Sequence, residues 1–253
     1  MAEPDSPVAG RKVLVTGAAT GIGAAAVRAL VEADALVVAT HHRSPPLADV
    51  PAHWQLCDVR DPEAVDQMVA SAQQLLGGLD VVVHAAGRWE PAVPGSITGD
   101  EIDRQIDTNL KSTIFVNQAA YTAMRGKGGQ IINFGSAEAA MGSPMSAVYA
   151  AAKGAVQAWT RSAARAWGHD HVTVNAVAPA VQTPGADRLR EYLGPDAAPL
   201  IDQQLQMSIP LGGRLGDPTT DVVPLLLFLS SPGARFITGQ LIAADGGLMM
   251  VGG

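Results

Sequence analysis

Tyr149 and Lys153 stand four positions apart in Tyr149-Ala150-Ala151-Ala152-Lys153, and Ser136 precedes the tyrosine by thirteen positions. On a helix this spacing puts phenol and ammonium on one face. A free tyrosine, with a pKa of ~10, exchanges its proton slowly near neutrality. A neighbouring positive charge favours the tyrosinate and lowers that pKa, so Tyr149 is expected to be an acid/base tuned by Lys153. Hydride transfer to a carbonyl needs such a donor within reach of the developing alkoxide. Ser136, after a predicted strand, is placed to donate to the same oxygen and stabilise its charge.

A second chemistry-bearing segment, Thr16-Gly17-Ala18-Ala19-Thr20-Gly21-Ile22-Gly23, follows the short β-branched run Lys12–Thr16 and opens a helix. A strand, a glycine turn and a helix in that order aim backbone N–H groups and the helix dipole at a pyrophosphate. Gly17 permits the tight turn, Gly21 the close approach of the backbone, and Gly23 the packing of helix on strand; Thr20 and Ile22 belong to the same cradle. Singly, each feature has a plain structural reading: a solvent-facing lysine, a turn serine, a glycine loop that binds nothing. In this order and spacing they point to a nicotinamide-dependent oxidoreductase.

The end of the second predicted strand bears on which nicotinamide. NAD users place an acid there, about 20 residues past the turn, to bond the ribose 2′-hydroxyl. Here the strand runs into His41-His42-Arg43-Ser44, with His41 eighteen positions past Gly23 and no carboxylate before Asp49. A fork-shaped arginine, a hydroxyl and imidazoles suit a 2′-phosphate, so NADP(H) is expected over NAD(H). A solvated basic turn that tolerates both cofactors is the alternative.

The elements needed to position these residues alternate along the chain. Strands are predicted at Lys12–Thr16, Ala35–Thr40, His53–Asp58, Leu79–His84, Gln130–Gly135, Val172–Ala178 and Gln240–Asp245. Helices are predicted over Ile22–Ala33, from Asp61-Pro62 to Gly77, from Thr98 through Asn109 to Met124, over Val148–Trp167, and from Asp217-Pro218 to Leu229. Asp61 with Pro62 is a helix start, Thr98 with Glu101 a capping box, and Pro224 should kink or shorten the final helix. Asp34 stands where a left-handed residue should end the first helix. Alternation of this kind implies parallel strands with right-handed crossovers. The expected fold is α/β: one doubly wound domain over residues 1–253, a seven-stranded parallel sheet with helices on both faces.

The three-residue gap between Gly17 and Gly21 resembles the short-chain dehydrogenase/reductase family, in its shorter, single-domain branch with a Rossmann-type fold. Further segments extend the resemblance over the chain. Asp58-Val59 resembles the family's adenine-contacting pair. His84-Ala85-Ala86-Gly87 matches its Asn-Asn-Ala-Gly with both asparagines replaced, and Pro179-Ala180-Val181-Gln182-Thr183 its Pro-Gly-x-x-Thr with Ala180 in place of glycine. Thr238-Gly239-Gln240 and Asp245-Gly246-Gly247 match its C-terminal signature. The resemblance makes Asn109, Ser136, Tyr149 and Lys153 the catalytic tetrad. It implies that Asn109 holds a relay water, that Lys153 also bonds the nicotinamide ribose, and that Val181 and Thr183 hold the carboxamide. It also implies a homo-oligomer, a tetramer, through the helices bearing Asn109 and Tyr149–Lys153.

The substrate pocket is expected from residues flanking the tetrad and from the loop after Thr183: Trp89, Glu138, Met145 and Leu189, with Met141, Leu193 and Leu200 as further candidates. Core or oligomer packing is the alternative for each apolar one. Glu138 either faces water or, in the pocket, calls for a cationic substrate or a hydroxyl donor. The partner is a small carbonyl or alcohol compound. A net charge of −7 gives no support to nucleic-acid binding. The longest apolar run, Val222–Leu229, is too short to span a bilayer. The single cysteine, Cys57, suits a reducing cytosol, and no metal site is expected. A non-catalytic dinucleotide-binding sensor or scaffold is the alternative; it would be expected to lose Tyr149 or Lys153. A longer-branch epimerase would need a larger C-terminal substrate domain, and an enoyl reductase a wider Tyr–Lys spacing.

Overall fold

Three consecutive valines, Val81-Val82-Val83, have no exposure on either side, as expected of a strand covered on both faces. They lie at the centre of a seven-stranded sheet in the computed structural model, which describes residues 6–250. The apolar C-terminal run Leu248-Met249-Met250-Val251 falls partly outside that range, at Val251. The strands are β1 (Lys12–Thr16), β2 (Leu36–His41), β3 (His53–Leu56), β4 (Val81–His84), β5 (Gly129–Phe134), β6 (Val172–Pro179) and β7 (Leu241–Ala244). Their order is β3-β2-β1-β4-β5-β6-β7 and every pair is parallel. The direction of winding reverses between β1 and β4, so the crevice at their carboxyl ends is where a ligand fits an open α/β sheet.

Helices α1 (Gly21–Glu32) and α9 (Val223–Ser230) cover one face, over Val13, Val15, Val27, Leu30, Leu226 and Leu229. The other face is covered by α2 (Pro62–Leu76), α4 (Ser112–Met124) and α6 (Ala147–Trp167), over Leu14, Val38, Val65, Val82, Val116 and Ile131. Local signals set the boundaries. Asp61 accepts from the Glu63 N–H at 2.9 Å, Gly77 ends α2 in the left-handed region, and Asp34 takes φ 60° after α1. Thr98 and Glu101 form the reciprocal box that opens α3 (Gly99–Ile106).

The predicted helix from Thr98 to Met124 is continuous but not regular. A π turn over Asp107–Lys111 joins α3 to α4. Its cause is local: the Asn109 side-chain amide donates to the Gln105 carbonyl at 3.1 Å, an oxygen that a regular helix would leave for the Asn109 N–H. A second π turn, Pro218–Val222, precedes α9 and absorbs the missing N–H of Pro224, so the helix is shortened rather than broken. Three helices had no sequence expectation: α5 (Ala137–Met141), α7 (Pro184–Leu193) and α8 (Ala198–Ser208). The start of α7 was readable, with Thr183 as its cap and Pro184 at its first position. In the apolar tail, Met249 is buried against Ala137 and Ala178 while Met250 is exposed.

The glycine turn closes tightly on its neighbours. A Cβ on Gly17 would lie 2.7 Å from the Ala86 backbone, and one on Gly23 would overlap the Gly17 carbonyl oxygen. Gly99, at the start of α3, has open space around the same position. Gly23→Ala should therefore lower the melting temperature and weaken dinucleotide binding at least tenfold, whereas Gly99→Ala should leave both unchanged. Thermal unfolding and nucleotide titration of the two variants check this.

Candidate active site

A cleft of about 450 Å³ runs across the carboxyl ends of the strands. On the β1–β2 side it is lined by Gly17, Thr20, Gly21, Ile22, His41, His42, Arg43, Ser44, Asp58 and Val59. Ala85, Ala86 and Gly87 line its middle, and Ser136, Tyr149, Lys153, Pro179, Val181 and Thr183 its β5–β6 side. Gly23 is buried behind the turn. The cleft thus brings together the glycine cradle, the basic turn and three of the four expected tetrad residues.

Lys153 sits on α6 with 5% exposure and donates to the Phe134 carbonyl at the end of β5, at 2.9 Å. Burial pushes its ammonium down to about 8. Its nitrogen lies 5.7 Å from the centre of the Tyr149 ring. The Tyr149 phenol is raised, not lowered as the Tyr–Lys pairing suggested. Burial is the largest cause and the Glu138 carboxylate adds to it, against the Ser136 hydroxyl and the Arg188 charge. Lys153, itself desolvated, is not among the groups that lower it. Ser136 caps α5, its hydroxyl accepting from the Glu138 N–H at 3.2 Å.

Asn109 is fully buried in the π turn and lies outside the cleft lining. Its side chain clamps the chain after Gly87, accepting from the Arg88 N–H at 2.9 Å and donating to the Arg88 carbonyl at 2.9 Å. A Cβ on Gly87 would lie 3.1 Å from the Asn109 oxygen and 3.6 Å from the Lys153 nitrogen, which is why this position is glycine.

Trp89, Glu138, Met145 and Leu189, the expected substrate pocket, stand outside the cleft lining. Trp89 is buried beside it, and its indole N–H donates to Glu138 at 3.2 Å. The Ser146 hydroxyl also donates to Glu138. Glu138 therefore neither faces open water nor calls for a cation from outside, since the protein supplies its donors. Burial raises its carboxyl above the usual range. Met141 and Leu200 are exposed, at 60% and 67%. The loop after Thr183 contributes a residue the sequence did not single out: Arg188 on α7 lines the cleft.

At the other end Arg60, also unforeseen, lines the cleft and grips Asp58 with two nitrogens, at 2.9 and 2.6 Å. That contact holds the Asp58 carboxyl down to about 2. The His42 ring nitrogen faces the same carboxylate at 3.7 Å. His41 bonds the Ser44 carbonyl through Nδ1 at 3.1 Å, closing the turn after β2. Arg60 follows Asp58 by two positions, a spacing that could have drawn notice.

A family model described as enoyl-(acyl carrier protein) reductase matches residues 17–249. The short-chain reductase protein NovJ of Streptomyces niveus is 36% identical, over 92% of this chain and 92% of that protein. A 3-oxoacyl-[acyl-carrier-protein] reductase, FabG, of Vibrio harveyi is 33% identical over 96% and 98%. The chain belongs to the short-chain dehydrogenase/reductase family. A crystal structure assigned to a short-chain alcohol dehydrogenase of Sinorhizobium meliloti 1021 superposes with a TM-score of 0.88 at 33% identity, covering 97% of this chain and 98% of that one. The versicolorin reductase of Emericella nidulans is 36% identical over 94% and 95%. The protein is accordingly a single-domain, nicotinamide-dependent oxidoreductase of the Rossmann type.

The departures from the family's motifs are accommodated. His84, in place of the first asparagine, is buried between Thr16 and Ser112, at 2.8 and 3.3 Å. The Ser112 hydroxyl proton is committed to the Thr108 carbonyl at 2.6 Å, so His84 donates from Nε2 and accepts the Thr16 proton at Nδ1. Burial, with the charge of Lys153, pushes its imidazole down to about 3 and keeps it neutral. Ala180, in place of glycine, is held by the Ala244 carbonyl at 3.1 Å without a positive φ.

The Glu138 charge works against the Tyr149 phenolate, so its removal should make the phenol more acidic. Glu138→Gln keeps an acceptor for Trp89 and Ser146. Its Tyr149 should titrate at lower pH than in the parent, read as tyrosinate absorbance against Tyr149→Phe backgrounds. Coincident titrations would show that this carboxylate does not reach the phenol.

Proposed function

We propose that the protein is an NADP(H)-dependent carbonyl reductase, a ketoreductase, with Tyr149 as its acid/base. The observation that carries this is the presence of Ser136, Tyr149 and Lys153 in one cleft with the glycine turn. The residues fit a dinucleotide: the Gly17 turn is packed tight on Ala86, and the cleft continues from that turn to the phenol. Gly17, Thr20, Gly21, Ile22 and Gly23 would hold its pyrophosphate, Asp58 and Val59 its adenine, and Ala85, Ala86, Gly87, Pro179, Val181 and Thr183 its nicotinamide half. A bound nicotinamide supplies or accepts the hydride.

In reduction, Ser136 donates to the carbonyl oxygen and Tyr149 gives it a proton as charge develops there. A raised phenol favours the acid form that reduction needs, and the Ser136 hydroxyl and the charge of Arg188 limit the rise. Asn109 supports proton resupply by fixing the backbone around Arg88 beside Lys153. Reduction, rather than oxidation, as the working direction is supported by NovJ, versicolorin reductase and FabG, all named reductases. Three residues between Tyr149 and Lys153 favour carbonyl over enoyl reduction. We extend the proposal to a homotetramer, consistent with the exposure of Phe236 and Met250. A cytoplasmic location is consistent with the single, unpaired Cys57.

Tyr149→Phe keeps the ring and removes the donor. It should cut kcat for carbonyl reduction by at least ~10²-fold, the scale of general acid catalysis, with nucleotide binding little changed. Turnover near that of the parent would sink the reading.

NADP(H) over NAD(H) rests on the turn after β2. Arg43 is exposed there and makes no ion pair among the described residues, while Arg60 is spent on Asp58. Arg43→Ala should raise KM for NADPH at least tenfold and leave that for NADH within twofold. Equal changes for both cofactors would remove the 2′-phosphate role.

A further inference from the structure

The cleft wall formed by α7 carries a guanidinium with no ion pair among the described residues. Arg188 lines the same cleft as Ser136, Tyr149 and Lys153. Its Nε donates to the Trp89 carbonyl at 3.1 Å, which fixes the plane of the group and leaves its terminal nitrogens without a protein acceptor among the described residues. Trp89 is itself fixed, buried and bonded to Glu138, so the arginine rests on a rigid support. Arg188 forms no ion pair among the described residues. Nearby carboxylates are engaged elsewhere: Glu90 bonds Arg88 at 2.6 Å, and Asp187 accepts from the Gln182 amide at 2.6 Å. Glu90, Glu191 and Asp187 all act on Arg188, but only at range and with no ion pair among the described residues.

We propose that Arg188 anchors a carboxylate on the carbonyl substrate, so that the enzyme's substrates are oxo acids and their hydroxy acid products. This rests on the carbonyl-reductase reading above. A planar guanidinium with terminal donors to spare matches a carboxylate with two parallel hydrogen bonds. A half-buried guanidinium left without an anion is costly, and a bound carboxylate removes that cost. The charge of Arg188 also reaches the Tyr149 phenol, which places the anchor within electrostatic range of the reacting oxygen. The other charges facing this region do not compete for the role. Arg88 is paired with Glu90, and Glu138, outside the cleft lining, accepts from Trp89 and Ser146.

The test compares 2-oxo and 3-oxo carboxylates with their methyl esters, in the parent and in Arg188→Met, with NADPH present. Direct binding is measured as well, using the matching saturated carboxylates and esters, which cannot be reduced, by calorimetry on the NADP-loaded enzyme. The parent should prefer the acids in kcat/KM and in affinity. Arg188→Met should lower the acid-to-ester ratio at least tenfold in both readouts, whatever loss the two substrate types share, with KM for NADPH unchanged. Arg188→Lys should recover part of the affinity for the acids.

Equal losses on acid and ester would assign Arg188 to supporting Trp89 alone and overturn the anchor. A parent that prefers esters, or neutral 3-oxoacyl thioesters, would also overturn it. Arginine-dependent binding of the acids without any turnover would confirm the anchor and sink only the reductase reading.

Discussion

The site depends on one buried ammonium. Among the described residues Lys153 has a single protein acceptor, the Phe134 carbonyl at the end of β5, and it is 5% exposed. A cation so placed is costly unless its surroundings are arranged for it. The arrangement is visible around it: a neutral histidine at position 84, a glycine at 87 that leaves room, and a phenol whose ring lies 5.7 Å away. The parallel sheet makes this feasible, because every strand ends on the same side. Carbonyls and loops from β1, β4, β5 and β6 therefore converge on one crevice.

Backbone irregularity near the site follows from side chains that divert hydrogen bonds. Asn109 takes the Gln105 carbonyl and clamps Arg88, and the helix widens by one π turn to allow it. The same clamp holds the segment Gly87–Trp89 against α6. Trp89 in turn carries both Glu138 and Arg188, through its indole N–H and its carbonyl. Asn109, Trp89 and the α7 wall are thus linked by a chain of hydrogen bonds. A substitution at any of these positions reaches the phenol by geometry or by charge.

Charge is divided between the two ends of the cleft. Around the β2 turn, Arg43, His41 and His42 face a cleft whose lining carboxylate among the described residues, Asp58, is already gripped by Arg60. At the opposite end Arg188 is unmatched, while Glu138 is enclosed by donors from its own chain. The protein as a whole carries −7, so both cationic spots stand against an acidic background. Local arrangement, not net charge, decides what each end attracts.

The fold and most of the site were legible in the sequence because they are written in local patterns. Alternating strand and helix runs, the Asp61-Pro62 start, the Thr98 box and the Gly17–Gly23 turn each depend on residues within a few positions of one another. The positions of the proposed catalytic residues could be read for the same reason: Tyr149 and Lys153 are one helical turn apart, and Ser136 follows a strand. Tertiary structure alone decided the rest. Whether the Tyr149 phenol rises or falls depends on desolvation by residues from several elements and on a carboxylate eleven positions upstream. Glu138 finds its donors on Trp89 and Ser146, and Arg188 finds its support on Trp89, ninety-nine positions away. Burial and long-range pairing are properties of the packed chain, and no spacing rule carries them.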